Sequence, residues 1–399
     1  MARRISKWLI AGAVLLAAGL LIAWATSPDP KGNPASLEDS PLEPAIAPLS
    51  DAVTLASYRT PDGQVATVLV SELVGDTVTG VDLATLGADR TGNPLRDLGS
   101  IAWKRIYNAM LEGRERVSLK ISDLLPSAPG GERHIGTGTN FPEHAEEASS
   151  DAVFRFPKFG RATPARTTVR AQPGILLDYE VELCMRFDRD IASLGDFDDA
   201  IKGVFLCGDF TNRNALVELA DPDNLDSGFG FSDAKSGLDF YPSGPFVVVP
   251  QDWKSFVDQL RMTTSVNGEP RQDARGEEMT QDFRQLVEAS LADMNEARFY
   301  YGGDFYKLSD NRRIPEDMTV MSGTSEGVIF APPARADYIE GAVQYLGNGG
   351  PFSGTGIVDS IKQRFIANEL RSGHFLQPGD VVRHDSNLLG NIEVEVIAQ

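Results

Sequence analysis

Asp178-Tyr179-Glu180-Val181-Glu182-Leu183 is the stretch from which the fold of this 399-residue chain is read. At period two, Ile175, Leu177, Tyr179, Val181, Leu183 and Met185 make an apolar face, while Leu176, Asp178, Glu180, Glu182, Cys184 and Arg186 point the other way. The pattern predicts a β-strand with one face in a core, and it sets Glu180 and Glu182 about 7 Å apart, close enough to converge on one hard cation. An ordinary solvated sheet face shows the same alternation, so the pair needs a third partner. Gly203 to Phe210 supplies one: it reads as a second buried strand, with Cys207 and Asp209 on a common face. If the two strands are neighbours, Glu180, Glu182 and Asp209 form an all-oxygen set suited to Mg²⁺, Mn²⁺ or Ca²⁺ in preference to Zn²⁺.

The chain carries 57 acidic and 37 basic side chains, a formal charge of −20, with 42% hydrophobic residues. That length and apolar content fill one large or two modest cores. The acidic balance, with no basic stripe, argues against nucleic acid as a partner. A small anionic molecule stays compatible, because a bound divalent ion and a few local cations invert the sign of one cleft.

Arg3, Arg4 and Lys7 precede an apolar run from Trp8 to Trp24. Residues 1–26 read as a secretory signal peptide cut after Ala23-Trp24-Ala25 or as an uncleaved signal anchor, the anchor favoured by a Trp at each end. Either way the body is exported to a bacterial periplasm, held to the inner membrane through this segment or soluble. Cys184 and Cys207 are the only cysteines. They read as two buried small hydrophobes in preference to a disulfide.

Residues 27–50, rich in Pro, Ser and Asp, predict a flexible tether. Residues 51–130 predict a small accessory domain, with strands Val53–Arg59 and Val65–Leu69 around Pro61-Asp62-Gly63 and a helical stretch at Ile101–Glu112. In residues 131–399, β-like runs alternate with turn signals, including Leu260–Val266 before the hairpin cue Asn267-Gly268. Helices are predicted at about Gln281–Glu296 and Ile357–Leu370. The fold class is α+β and β-rich.

Three further groups bear on chemistry. A helical turn starting near Pro142 puts His144 and Glu147 on one face, where the carboxylate fixes the histidine tautomer and makes it a general base toward water. Lys235, ahead of the turn Pro242-Ser243-Gly244-Pro245, could neutralise a developing enolate or carboxylate charge. Gly323-Thr324-Ser325-Glu326-Gly327 matches a serine-hydrolase elbow, but the extended, proline-broken Val328 to Pro333 follows where an elbow requires a helix. Thr324 is better used as a contact to a substrate carboxylate.

In order, these motifs resemble the fumarylacetoacetate hydrolase family from about Ile135 onward. The residues are Asn140-Phe141 to Glu147, Asp178 to Leu183, Gly203 to Arg213, Lys235-Ser236, Gly244-Pro245, Asn267-Gly268-Glu269, Ser322 to Ser325, and Leu376 to Asp380 with Leu389-Gly390. The resemblance implies a mixed β-roll or sandwich with a small N-terminal α+β domain, commonly a homodimer. It implies a metal held by Glu180, Glu182 and Asp209, a catalytic set of His144, Glu147 and Lys235, and substrate contacts from Arg213, Lys235 and Thr324. Gly208 replaces the family's Asn, Asn214 and Leu216 alter its polar lining, and about forty residues, 334–373, are inserted where a short link is usual. A helical decoration is the expected form of that insertion.

The resulting expectation is an exported, metal-dependent hydrolase of a C–C bond in an acylpyruvate or related 2,4-diketo acid. Decarboxylation, isomerisation or hydration of a keto acid on the same site is the alternative within enzymes. A catalytically idle, membrane-tethered binding protein is the alternative outside them.

Overall fold

The computed structural model describes the backbone of residues 2–111, 115–150, 152–221, 224–352 and 354–399, and the side chains of all these but 2–10, 13, 110, 111 and 226. The chain divides into two compact units, Met1–Asn33 with Ile329–Phe375, and Pro34–Val328 with Leu376–Gln399.

The second unit is built on strands, as the alternating patterns predict. Its ten-stranded sheet runs in the order Val117–Lys120, Thr77–Asp82, Val65–Val74, Ala52–Arg59, Val247–Pro250, Lys202–Gly208, Val181–Phe187, Val320–Thr324, Arg133–Gly138, Phe154–Phe159. A five-stranded sheet runs Glu269–Arg275, Arg261–Val266, Val381–Ser386, Gly390–Ala398, Arg166–Ala171. Neighbours are antiparallel except Val320–Thr324 beside Arg133–Gly138 and Gly390–Ala398 beside Arg166–Ala171. The sheets are mixed, and the strand-rich α+β expectation holds.

The strand quoted at the outset differs from its prediction in one respect. All of Val181–Phe187 is buried, on both faces, as is all of Lys202–Gly208. The carboxylate face is therefore covered by protein instead of water, as a layered core requires. The strand also breaks at Tyr179-Glu180, upstream of which Leu177–Asp178 pairs with Thr211–Asn212. The two central strands are antiparallel neighbours, with Cys207 opposite Glu182 and Phe205 opposite Cys184.

That register overturns the reading of the cysteines as unpaired hydrophobes. Cys184 and Cys207 lie diagonally across the two strands, Cα atoms 6.0 Å apart, and form a disulfide. The bond closes a loop with a sequence separation of 23, for which chain entropy gives a stabilisation of about 3 kcal/mol. A Cys184→Ser, Cys207→Ser variant is expected to unfold in denaturant with a free energy lower by about that amount. An unchanged unfolding free energy would show that the bond does not form.

Residues 51–130, expected as a small accessory domain, contribute four strands to the large sheet, with Leu55 opposite Val247. Val53, Leu55, Leu69, Leu83, Leu95 and Ile106 share one apolar cluster with Val247. Glu112, the expected end of the helix found at Trp103–Leu111, lies outside the described residues. The expected tether is also ordered from Pro34 onward. Ala45 N–H donates to Asn387 O at 2.8 Å, and Glu38 receives Arg275 Nε and Nη2 at 2.5 and 2.9 Å. Composition showed the missing apolar period of that segment but could not show its ion pairs.

Local signals hold well. Asn267 and Gly268 both take positive φ, 53° and 81°, between strands Arg261–Val266 and Glu269–Arg275, the geometry of a two-residue hairpin. The predicted helix near Gln281 forms as Phe283–Ala292, capped by Asp282 in a capping box with Gln285.

The first unit is helical: Ala2–Ala25, Arg335–Gly347 and Ile357–Ser372. The insertion thus takes the form of two packed helices. Gly341 allows them to approach, since a β-carbon there would stand 2.6 Å from Ile361 Cα. The expected membrane segment, Trp8–Trp24, finds no support: among the described residues no helix is long and apolar enough to cross a membrane. The side chains of Trp8, Leu9, Ile10 and Ala13 lie outside the described residues.

Candidate active site

Glu182 sits in the central strand, Glu180 at the break before it, and Asp209 just past the end of the neighbouring strand. Asp209 N–H donates to Glu180 O at 2.9 Å, which folds the third acid back onto the first two. All three are buried, and one carboxylate oxygen from each lies within 4.8 Å of the others.

Three buried cations enter this cluster. Arg213 donates from Nε to Asp178 Oδ2 and from Nη2 to Glu180 Oε1, both at 2.8 Å. Lys235 Nζ lies 2.5 Å from Glu180 Oε2 and 3.1 Å from Asp209 Oδ2. Lys158 Nζ lies 2.5 Å from Asp209 Oδ1 and also donates to the Lys235 and Phe240 carbonyls.

Their distribution is uneven. Burial alone would raise the Glu180 carboxyl, but Lys235 and Arg213 pull it down to about 2. Among the described residues Glu182 has no ion pair, and the charge of Lys235 pulls it down only in part. Burial, with the charges of Asp209 and Glu180 added, pushes it well above the ordinary carboxylate range. Its Oε2 accepts Gly323 N–H at 2.9 Å, while among the described residues its buried Oε1 has no hydrogen-bond partner. A carboxylate short of positive charge, beside two further oxygen donors, fits a hard divalent cation.

Lys158 was missed from the sequence, although a signal was present. Phe154, Phe156 and Lys158 alternate along Phe154–Phe159, and all three are buried. A lysine on the apolar face of a strand implies a buried anion to receive it.

The His–Glu pair forms as expected. On the short helix Pro142–Glu147, His144 Nδ1 lies 2.9 Å from Glu147 Oε2. Glu147 Oε1 accepts Gly327 N–H at 2.9 Å, and Gly327 O accepts the Tyr179 hydroxyl at 2.9 Å. Tyr179 stands between Asp178 and Glu180, so one residue, Gly327, links the pair to the carboxylate strand through its N–H and its carbonyl. His144 is close enough for its charge to act on Glu180. Gly327 has φ +94°, and a β-carbon there would meet Arg271 O at 2.0 Å, so only glycine fits.

Other expected contacts are turned inward. The Thr324 hydroxyl donates to Val181 O and accepts from Gln272 Nε2, each at 2.9 Å, and is buried. Arg213 is committed to Asp178 and Glu180. Asn214 accepts Leu176 N–H and donates to Gly174 O, both at 2.8 Å, and so closes the loop ahead of the carboxylate strand. Gly208 leaves no room for the family's Asn: a β-carbon there would stand 2.8 Å from Pro242 and 3.2 Å from His384 Nε2. His384 is fully buried, and burial lowers it to about 3. Ser325 is buried with no helix directly after it, which removes the serine-elbow reading.

No curated protein sequence matches the chain. Among solved structures it is similar to a putative HpcE protein from Mycobacterium smegmatis, with 20% identity, 86% of this chain and 99% of that chain covered, and a TM-score of 0.51. Lower TM-scores, 0.49 and 0.48, relate it to a 2-hydroxyhepta-2,4-diene-1,7-dioate isomerase from Mycobacterium marinum and a 5-carboxymethyl-2-hydroxymuconate delta-isomerase from Mycobacterium smegmatis. Identities there are 17% and 16%, over 87% and 88% of this chain and 99% and 100% of those. The first of these likenesses concerns the fold alone. The fumarylacetoacetate (FAA) hydrolase C-terminal profile matches residues 133–397, the span that holds every residue of the carboxylate cluster and the His144–Glu147 pair; the chain belongs to the fumarylacetoacetate hydrolase family.

Proposed function

We propose that the chain is an exported, divalent-metal-dependent hydrolase that cleaves a C–C bond in an acylpyruvate or related 2,4-diketo acid. The observation that carries this reading is that Gly327, through its N–H and its carbonyl, ties the His–Glu pair to the strand bearing the carboxylate trio, one member of which, Glu182, keeps a buried oxygen with no hydrogen-bond partner among the described residues. Mg²⁺, Mn²⁺ or Ca²⁺ held by Glu180, Glu182 and Asp209 supplies Lewis-acid stabilisation of enolate charge.

The protein's own groups do the rest. Glu147 accepts from His144 Nδ1 and so leaves Nε2 as the base that takes a proton from water. The resulting hydroxide attacks the carbonyl distant from the carboxylate, the C–C bond breaks toward the keto-acid fragment, and His144 returns the proton to carbon. Lys235 offsets negative charge beside Glu180 and Asp209. Arg213 and Thr324, engaged by protein partners, hold the walls of the site in place. The disulfide between Cys184 and Cys207 supports an oxidising compartment and hence export.

The test is an assay of the purified chain with Mg²⁺ or Mn²⁺ on acylpyruvates and on oxaloacetate. The hydrolase reading expects pyruvate and a free acid in equal amounts, abolished by EDTA and restored by the ion. Turnover of oxaloacetate alone would replace it with a decarboxylase. Metal binding without turnover of either would leave a binding protein.

A further inference from the structure

The Gly327 peptide is itself fixed from the N-terminal side of the chain. Ser36 N–H donates to Glu326 Oε1 at 3.1 Å, and Ala35 Cβ lies 3.0 Å from where a β-carbon on Gly327 would stand. Two residues on, Glu38 anchors the contact. Its N–H donates to Asp273 Oδ2 at 2.8 Å, and its carboxylate holds Arg275 through two hydrogen bonds. Asp273 in turn takes Arg261 Nε and Nη2 at 2.7 and 2.6 Å.

The segment Ala35–Glu38 therefore straps Glu326-Gly327 to the strand Glu269–Arg275. From Gly327 N–H one bond leads to Glu147, and a second leads to His144 Nδ1. None of these bonds belongs to a sheet ladder, so the sheets do not need them. Glu326 is a mostly buried acid near Glu143 and Glu147, and burial with their charges raises its carboxyl. Such a placement is unfavourable unless the acid does something there.

We infer that Ser36 and Glu326 are positioning residues for the His144–Glu147 pair, the strap holding the Gly327 peptide where Glu147 must find it. This rests on the hydrolase reading. Its consequence is that the catalytic unit begins near Pro34, ahead of the first strand, so that the segment read as a tether is part of the active-site support.

The test uses the full chain and the acylpyruvate assay. Glu326→Ala removes the acceptor for Ser36 N–H, whereas Glu326→Gln removes the charge and keeps an acceptor. A slightly misplaced base costs on the order of tenfold to a hundredfold, so Glu326→Ala is expected to lower kcat about tenfold at neutral pH. Glu326→Gln should stay within about twofold of wild type, since the positioning bond persists. Because hydroxide needs no base, the Glu326→Ala deficit should close as pH rises. Mn²⁺ affinity should not change. Glu38→Ala, two residues away and partly exposed, should show the same pH signature at smaller amplitude.

A Glu326→Ala enzyme as active as wild type, beside an inactive His144→Ala, overturns the strap and leaves the hydrolase standing. So does a loss that is equal at every pH and parallels a loss of Mn²⁺ affinity, which would mark Glu326 as merely structural. If His144→Ala is itself fully active, the hydrolase reading fails and the strap with it.

Discussion

Replacing Glu182 by glutamine is expected to lower divalent-cation affinity by roughly 100-fold or more, since loss of a group that merely orients a ligand already costs about 10- to 100-fold. The same substitution is expected to stabilise the metal-free protein. Glu182 is buried with one oxygen unpartnered, and its carboxyl is pushed above the ordinary value of 4.5 by burial and by Asp209 and Glu180. A carboxyl raised on folding contributes its full stability below the unfolded pKa and loses it as pH rises through the folded one. The metal-free wild type should therefore fall behind Glu182→Gln as pH climbs above about 4.5, the glutamine amide being free to donate toward Asp209 or Glu180.

Thermal melts in EDTA across that range read the stabilisation of the metal-free protein. Melts with added Mg²⁺ read the affinity: at 100 times its Kd the wild type gains about 2.7 kcal/mol, and the variant gains about 0.4 kcal/mol or less at the same concentration. Equal metal affinity in the two proteins would remove Glu182 from the site.

His144→Ala is the second large effect. General-base catalysis contributes about 10²- to 10⁴-fold, and kcat should fall by that order with Mn²⁺ affinity unchanged. His144 belongs to the helix Pro142–Glu147, which has no buried residues, so the protein should fold normally. The deficit should shrink at high pH, where hydroxide replaces the activated water. A variant that keeps full activity would assign the chemistry to the carboxylates and Lys235 alone, as a decarboxylase or isomerase requires.

What the sequence made legible follows from range. Period-two alternation and turn chemistry are local, and they placed the central strands, the Asn267-Gly268 hairpin and the helix capped by Asp282. Motif order placed Glu180, Glu182 and Asp209 together, and the register of Cys207 against Glu182 realises that placement. The interactions that escaped are long-range. Lys158 reaches Asp209 across 51 residues, Glu38 reaches Arg275 across 237, and Ser36 reaches Glu326 across 290. No local periodicity encodes an ion pair between distant loops. The disulfide could have been argued from the strand register, but that register was visible only once the strands were known to be neighbours.

The large sheet has an implication for how the chain is made. Leu55 and its neighbours pair on one side with Val65–Val74, which follows at once, and on the other with Val247–Pro250. At synthesis rates of roughly 5 to 20 residues per second, the second partner arrives about 10 to 40 s after the first. Through that interval the newborn strand Ala52–Arg59, buried over Ala52 to Ala56 in the finished protein, offers a bare apolar edge to any passing chain. Overexpression is therefore expected to yield aggregates nucleated at the first hairpin, and a chaperone that holds that edge is expected to reduce them.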